Sequence, residues 1–209
     1  MIYRVTKIEP QKKDATRSSV FINGQFEFGA TTRAIERYGL VEGMALEEDA
    51  YQKMLEHIQL EKAKYRALDY LARGIKTEKQ VQDKLVDWEY SLSIVRKVMC
   101  FLKEYRYVDD EAYTTQYTRS KLTYGKKSLR QIQSLLYAKG IKQCEWGIEE
   151  EVLETLEMEN VRYFLHKYGY TAEIEREKKQ KIIGKIMGRG FKYKLIEGAM
   201  RNIDETAME

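Results

Sequence analysis

The chain has 209 residues, one Pro and a formal net charge of +4, with 33% of its residues charged. That is enough for one or two domains with real cores, and the Pro-poor, Lys-, Glu-, Leu- and Ala-rich composition points to a mainly helical protein. No run approaches the roughly 18 apolar residues of a membrane span, and MIYRVTKIEP lacks the apolar h-region and cleavage site of a secretion signal, so a soluble, cytoplasmic protein is expected.

Cys100 and Cys144 have no Cys or His at metal-ligand spacing, and both read as small hydrophobes in a reducing compartment.

Residues 2–8 alternate apolar and polar side chains, a strand pattern that Pro10 should end. SVFINGQFEF (19–28) carries Asn23-Gly24, the dipeptide that a type I′ hairpin turn favours because both central residues need φ > 0. Phe26 and Phe28 are expected on one face, with Val20 and Ile22 across from them, in a sheet of two or three strands. So small a sheet must lean on a helix. Thr31 to Tyr38 can supply one, with Thr31 or Thr32 as cap and Gly39 as its left-handed stop, and Glu47 starts another helical run.

From about Leu60 the chain is helical, and it repeats. KQVQDKLVDWEY (79–90), RQIQSLLYAKGI (130–141) and KIIGKIMGRGF (181–191) align on Glu89, Gly140 and Gly190. Val81, Ile132 and Ile182 then coincide, as do Leu85, Leu136 and Ile186, and Tyr90, Ile141 and Phe191. In the next helix Val95, Trp146 and Ile196 coincide, then Leu102, Leu153 and Ile203, all at helical-face spacing. Thr77-x-x-Gln80 and Ser128-x-x-Gln131 are capping boxes that start the middle helix of two units. Gly140 and Gly190 end their helices, whereas Glu89 departs from that pattern and needs a different stop or a longer helix.

Each unit therefore has three short helices, the first of them at 60–72, 110–122 and 159–169. The expected fold is mainly α: three tandem three-helix repeats in an elongated array, with a small N-terminal β-hairpin or sheet extension. The divisions are 1–58 for the β-rich extension with its helix, then repeats at 59–108, 109–157 and 158–209.

Charge follows the repeats. Asp109, Asp110 and Glu111 open a helix, and then no carboxylate occurs from Ala112 to Cys144. That span carries Arg119, Lys121, Lys126, Lys127, Arg130, Lys139 and Lys142, interleaved with Tyr113, Tyr117, Tyr124 and Tyr137. Seven glutamates between Glu145 and Glu159 follow, and residues 178–194 are basic again, with Lys185 and Arg189 among them. A one-signed run with interleaved aromatics suits a polyanion or an acidic protein face. Two readings stay open: one face of the array is positive, or acidic and basic helices pair within the bundle.

The sequence shows no HExxH, GxSxG, GxxxxGK[ST] or GxGxxG motif, and His57 and His166 stand alone. Without a nucleophile, an orienting base or a metal set, a non-enzymatic protein is expected, with no cofactor. Trp88 and Trp146 fall on apolar faces, where core packing is the better reading than base stacking.

ALDYLA (67–72) and VDDEAYTTQYTRSKLTYGKKSLRQIQSLLYAKGI (108–141) resemble the RecX regulatory proteins, chiefly through the acidic helix start, Tyr117 and Arg119, Gly125 in the turn, Ile132, Leu136 and Lys139-Gly140-Ile141. The INGQFEFG hairpin resembles the extension of Gram-positive members, so the likeness covers nearly the whole chain. Trp88-Glu89 stands where the family often has Lys-Gly, and the first helix of the third unit departs from the pattern too.

The resemblance implies a monomeric, non-enzymatic modulator of RecA in DNA repair, recombination and the SOS response. Members bind the groove of the RecA–DNA filament, usually inhibiting strand exchange, ATP hydrolysis and LexA-type co-cleavage, and some bind DNA directly. The residues expected to meet RecA or DNA are Arg119, Lys121, Tyr124, Lys126, Lys127, Arg130, Lys139, Lys185 and Arg189. Two rivals are a helix-turn-helix transcription regulator and a helical scaffold that binds protein alone.

Overall fold

The computed structural model describes residues 2–12, 14–143 and 145–206. Cys144, expected to be a small hydrophobe, lies outside the described residues. An antiparallel sheet opens the chain: β1 (Ile2–Gln11), β2 (Asp14–Ile22), β3 (Gln25–Thr31) and, after α1 (Thr32–Tyr38), β4 (Ala45–Glu47). The strand order is β3-β2-β1-β4, four strands rather than the two or three expected. Asn23 (φ 50) and Gly24 (φ 86) make the tight β2–β3 turn.

Two local expectations fail in the sheet. Pro10 lies inside β1, opposite Ser18, and does not end the strand. It is tolerated because β4 pairs only with Ile2 to Arg4, so β1 has an open edge farther on and needs no N–H there. Phe26 and Phe28 do not share a face: a bulge matches Val20 to Phe28 but Phe21 to Phe26. Phe28 is buried, and Phe26 stays exposed, edge-on to Phe21 at 5.9 Å.

Thr31 caps α1 by accepting from the Ala34 amide at 3.2 Å, and Gly39 (φ 56) ends it. The helix that starts after Glu47 does not stop before Leu60. It continues as α2 (Glu48–Ala72), whose Tyr51, Met54 and Ile58 cover Val5, Val20, Ile22 and Phe28 of the sheet. Ala63 and Ala67, farther along α2, are buried where α2 packs on α4 (Leu92–Glu104).

The remaining helices are α3 (Glu78–Asp87), α5 (Asp110–Thr123), α6 (Leu129–Ala138), α7 (Glu150–Lys167), α8 (Arg176–Met187) and α9 (Tyr193–Thr206). Val81, Ile132 and Ile182 are buried, and so are Leu85, Leu136 and Ile186. Trp146 is half-buried and lies outside any helix, since α7 begins only at Glu150. No break precedes Glu159 either. Leu153, Glu157, Asn160, Val161, Phe164 and Leu165 keep one continuous buried stripe, with no Gly or Pro to stop the helix, so α7 serves as last helix of one unit and first of the next.

The chain forms two compact units. One comprises residues up to Arg73 with Lys84–Tyr105; the other comprises Gly74–Asp83 and the chain from Arg106 onward. The second unit has one core around Leu122, Ile132 and Leu136 and another around Phe164, Ile186 and Ile196. Cys100 is exposed on α4, not a buried hydrophobe as expected, because it falls outside the stripe of Val95, Val98, Met99 and Leu102.

Candidate polyanion-binding surface

The basic span folds as α5, a tight turn and α6. Asp109 caps α5 by accepting from the Ala112 amide at 2.9 Å, and Asp110 and Glu111 sit in its first turn, where the helix dipole favours anions. Ser128 caps α6 by accepting from the Gln131 amide at 3.3 Å. Between them Gly125 approaches α5 so closely that a Cβ would lie 2.9 Å from the Lys121 carbonyl. Lys126 adopts φ 48, a left-handed conformation that costs a non-glycine residue energy. The Lys127 amide donates back to the Lys121 carbonyl at 3.1 Å.

One face of α7 holds this turn. The Asn160 amide donates to the Leu122 carbonyl at 2.9 Å and to the Lys127 carbonyl at 3.5 Å. The Glu157 carboxylate accepts from the Leu129 amide at 2.8 Å. Burial pushes the Glu157 carboxyl above the usual glutamate range, the Leu129 amide and Lys192 pull it down, and Glu154 pushes it up again.

Aromatic rings gather the cations. The ammonium groups of Lys121 and Lys139 lie 5.1 and 5.5 Å from the centre of the Tyr117 ring, which stacks on Tyr113. Lys126 and Lys167 approach Tyr163 at 5.9 and 5.8 Å. Lys185 lies 5.4 Å from the Tyr168 ring, and Arg189 donates from Nε to the Tyr168 hydroxyl at 2.9 Å. The Arg189 guanidinium also covers Phe164 at 4.4 Å.

Two of these contacts, with a third in the first unit, form a repeat that comparison of apolar positions does not reveal. Arg66 lies over Trp88 at 4.0 Å, Lys139 over Tyr117, and Arg189 against Tyr168. The first-helix members are residues 66, 117 and 168, and the partners before each helix stop are 88, 139 and 189, so the pairs keep the repeat spacing. In the first unit cation and aromatic have exchanged places, which hides the pattern. Trp88 is therefore a half-buried platform for Arg66 rather than a core tryptophan.

Arg119, Arg130 and Tyr124 are exposed, Tyr124 at 84%. Arg130 runs beside Gly190, and the Ser128 hydroxyl donates to the Arg189 carbonyl at 2.7 Å, so the α5–α6 and α8–α9 turns are neighbours. Lys126, Lys127, Arg130 and Arg189 thus fall near one another, while Lys121 and Lys139 meet over Tyr117. Arg119 is exposed on α5.

None of Arg119, Lys121, Lys126, Lys127, Arg130, Lys139, Lys185 and Arg189 forms an ion pair with a described carboxylate. Cations elsewhere do, among them Lys53 with Asp49, Lys97 with Glu56 and Arg73 with Asp69. Among the described residues no group of three or more His, Cys, Asp and Glu could hold a metal ion, and no helix is long and apolar enough to cross a membrane.

Residues 3–47 match the family described as Regulatory protein RecX N-terminal domain, and residues 63–102 match RecX, first three-helix domain. The chain is 31% identical over 209 residues to Regulatory protein RecX of Clostridium acetobutylicum, covering 95% of each protein. It is 29% identical to Regulatory protein RecX of Clostridioides difficile, across 96% of this chain and 97% of that one. A crystal structure of regulatory protein RecX matches with a TM-score of 0.70 at 24% identity, over 96% of this chain and 99% of that chain. The RecX crystal structure from Lactobacillus salivarius matches with a TM-score of 0.60, over 69% of this chain and 96% of that one.

Proposed function

The chain belongs to the RecX family of regulatory proteins, and from that premise we propose that it binds RecA and the groove of the RecA–DNA filament and inhibits recombinase, ATPase and co-protease activity during DNA repair. The observation that carries the reading, beside kinship, is the set of cations on α5, in the α5–α6 turn, at the end of α6 and on α8 with aromatic neighbours but no described carboxylate partner. A solvated surface mixes both signs, whereas this one is left to an external anion.

Binding works through many modest contacts. The turns of successive units offer cations to repeated protomers or phosphates, and once one contact forms the next is intramolecular. A filament is then bound more tightly than a RecA monomer, and the occupied groove excludes a second DNA or a co-cleavage substrate. The protein acts as a monomer in the cytoplasm, and the chemistry stays with RecA.

The test is ATP hydrolysis by RecA from the same organism on single-stranded DNA, titrated with the full-length protein. Hydrolysis should fall as protein is added. Unchanged hydrolysis with sequence-specific duplex binding would instead support a transcription regulator, and unchanged hydrolysis with no DNA affinity a protein-only scaffold.

A further inference from the structure

We infer that Asn160 is a positioning residue, buried so that the α5–α6 turn presents Lys126 and Lys127 to the phosphates of a single-stranded polynucleotide while Tyr124 stacks on a base. The inference rests on the function proposed above and adds a positioning device to it.

An Asn at 1% exposure in a helix interior is costly unless its amide is bonded. Asn160 spends its donors on the Leu122 and Lys127 carbonyls, which bracket the turn at 2.9 and 3.5 Å. Glu157 lies three residues before Asn160 on the buried stripe of α7, and Tyr163, 45% exposed, lies three residues after it beside that stripe. The first accepts from Leu129 at the start of α6, and the second lies 5.9 Å beneath the Lys126 ammonium. One helix face thus holds the turn at its beginning, its middle and its end.

The turn needs holding because it is strained. Lys126 has φ 48, where glycine would be comfortable, yet the neighbouring glycine, Gly125, is not used for that conformation. Keeping a cation in a left-handed position costs about 1–2 kcal/mol, and such strain persists where the surroundings over-determine it and a function uses it. Here the strained residue aims a charge.

The choice of ligand follows from Tyr124. Lysines alone suit any anionic surface. A tyrosine 84% exposed beside Lys126 and Lys127, with Arg130 on the next helix, offers a ring face for an unstacked base between phosphate contacts. An acidic protein face would use the charges and leave the ring idle.

The experiment measures binding of a labelled oligothymidylate to the full-length chain across a salt series. Asn160→Ala should weaken binding several-fold, as much as the Lys126→Ala/Lys127→Ala pair does. Its log–log salt slope should flatten by about 0.7 for each phosphate that the variant no longer neutralises. The triple variant should be no weaker than the pair. A merely structural Asn160 would lower the melting temperature and leave slope and affinity unchanged below the melt, which would overturn the inference.

Should Asn160→Ala fail to fold, amide hydrogen exchange on the wild-type chain decides instead. Lys127 and Leu129 amides protected like the interior of α6 support a preformed turn, and exchange at exposed-loop rates overturns it. A wild-type chain that slows RecA hydrolysis but binds no oligothymidylate overturns this inference and leaves the RecA reading standing. One that binds oligothymidylate as described but leaves RecA hydrolysis untouched does the reverse.

Discussion

The Thr77 hydroxyl donates to the Lys139 carbonyl at 2.7 Å, and one repeat later the Ser128 hydroxyl donates to the Arg189 carbonyl at the same 2.7 Å. Each hydroxyl also accepts an amide of its own helix, from Gln80 and Gln131, at 3.2 and 3.3 Å. A carboxylate supports each joint: Asp110 accepts from the Glu78 amide, and Glu157 from the Leu129 amide, both at 2.8 Å. The cap of one middle helix is thus also the clasp on the end of the next. Gly140 and Gly190 sit at the clasps because a Cβ there would lie 2.4 Å from the Lys79 side chain or 2.7 Å from the Ser128 hydroxyl.

Removing a clasp should cost more than removing an ordinary cap. Thr77→Val deletes a cap worth about 1 kcal/mol and leaves a carbonyl without its partner at a further cost of about 1–3 kcal/mol. Urea unfolding should show Thr77→Val and Ser128→Ala destabilised by similar amounts, about 2–4 kcal/mol each. A loss below the cap's own worth would mean that the Lys139 and Arg189 carbonyls find other donors.

Glu89 should be improvable. It adopts φ 64 at the place where Gly140 and Gly190 stand in the later units, and Tyr90 still closes the helix by donating to Leu85 at 3.3 Å. Left-handed strain of about 1–2 kcal/mol is partly offset by the greater chain entropy of glycine, about 0.5–1 kcal/mol. Glu89→Gly should therefore raise stability by about 0.5–1 kcal/mol in the same unfolding measurement.

Stability should depend on pH through Glu157. Burial raises its folded-state pKa, so the folded chain holds this proton more firmly than the unfolded chain. The resulting stability is fully present below the ordinary glutamate value of about 4.3 and is lost as pH rises through the folded value. Glu157→Gln keeps an oxygen for the Leu129 amide and carries no charge. Relative to this variant the wild type should lose ground as pH climbs from that value toward neutrality; parallel urea midpoints across the range would refute it.

Neutralising Lys126, Lys127 and Arg130 together should weaken inhibition of RecA and reduce its salt dependence. These side chains are exposed or half-buried and form no ion pair with a described carboxylate, so the unfolding free energy should stay within about 0.5 kcal/mol of wild type. A folded triple variant that inhibits as well as wild type would remove this stretch from the binding surface.

The Arg66–Trp88 pair should show a measurable coupling. A double-mutant cycle on the two residues should return about 0.5–1 kcal/mol, the worth of a partly exposed cation–π contact. Additive single substitutions would reduce the repeated pair to a coincidence of spacing.

Much of the architecture was legible in the chain itself. Period-matched apolar residues such as Leu85, Leu136 and Ile186 are all buried to 0% exposure, because a helix must hide one face whatever surrounds it. Turn and cap residues such as Asn23-Gly24, Thr31, Gly39 and Ser128 act as read, since their chemistry is local. The one-signed charge of residues 112–144 was equally visible.

What depended on distant neighbours was not legible. Whether Pro10 ends a strand depended on how far β4 pairs, and whether Phe26 faces inward depended on a bulge. Whether α7 breaks at Glu159 depended on a stripe that only two cores could reward. Asn160 and Glu157 gave no local signal, because the carbonyls and amide they serve lie 28–38 residues earlier in the chain. Local sequence thus determined which segments became helix, turn and cation-rich surface. Tertiary packing alone decided which cations were left without a described carboxylate partner and which buried polar groups bond the α5–α6 turn, since those outcomes arise only when distant segments meet.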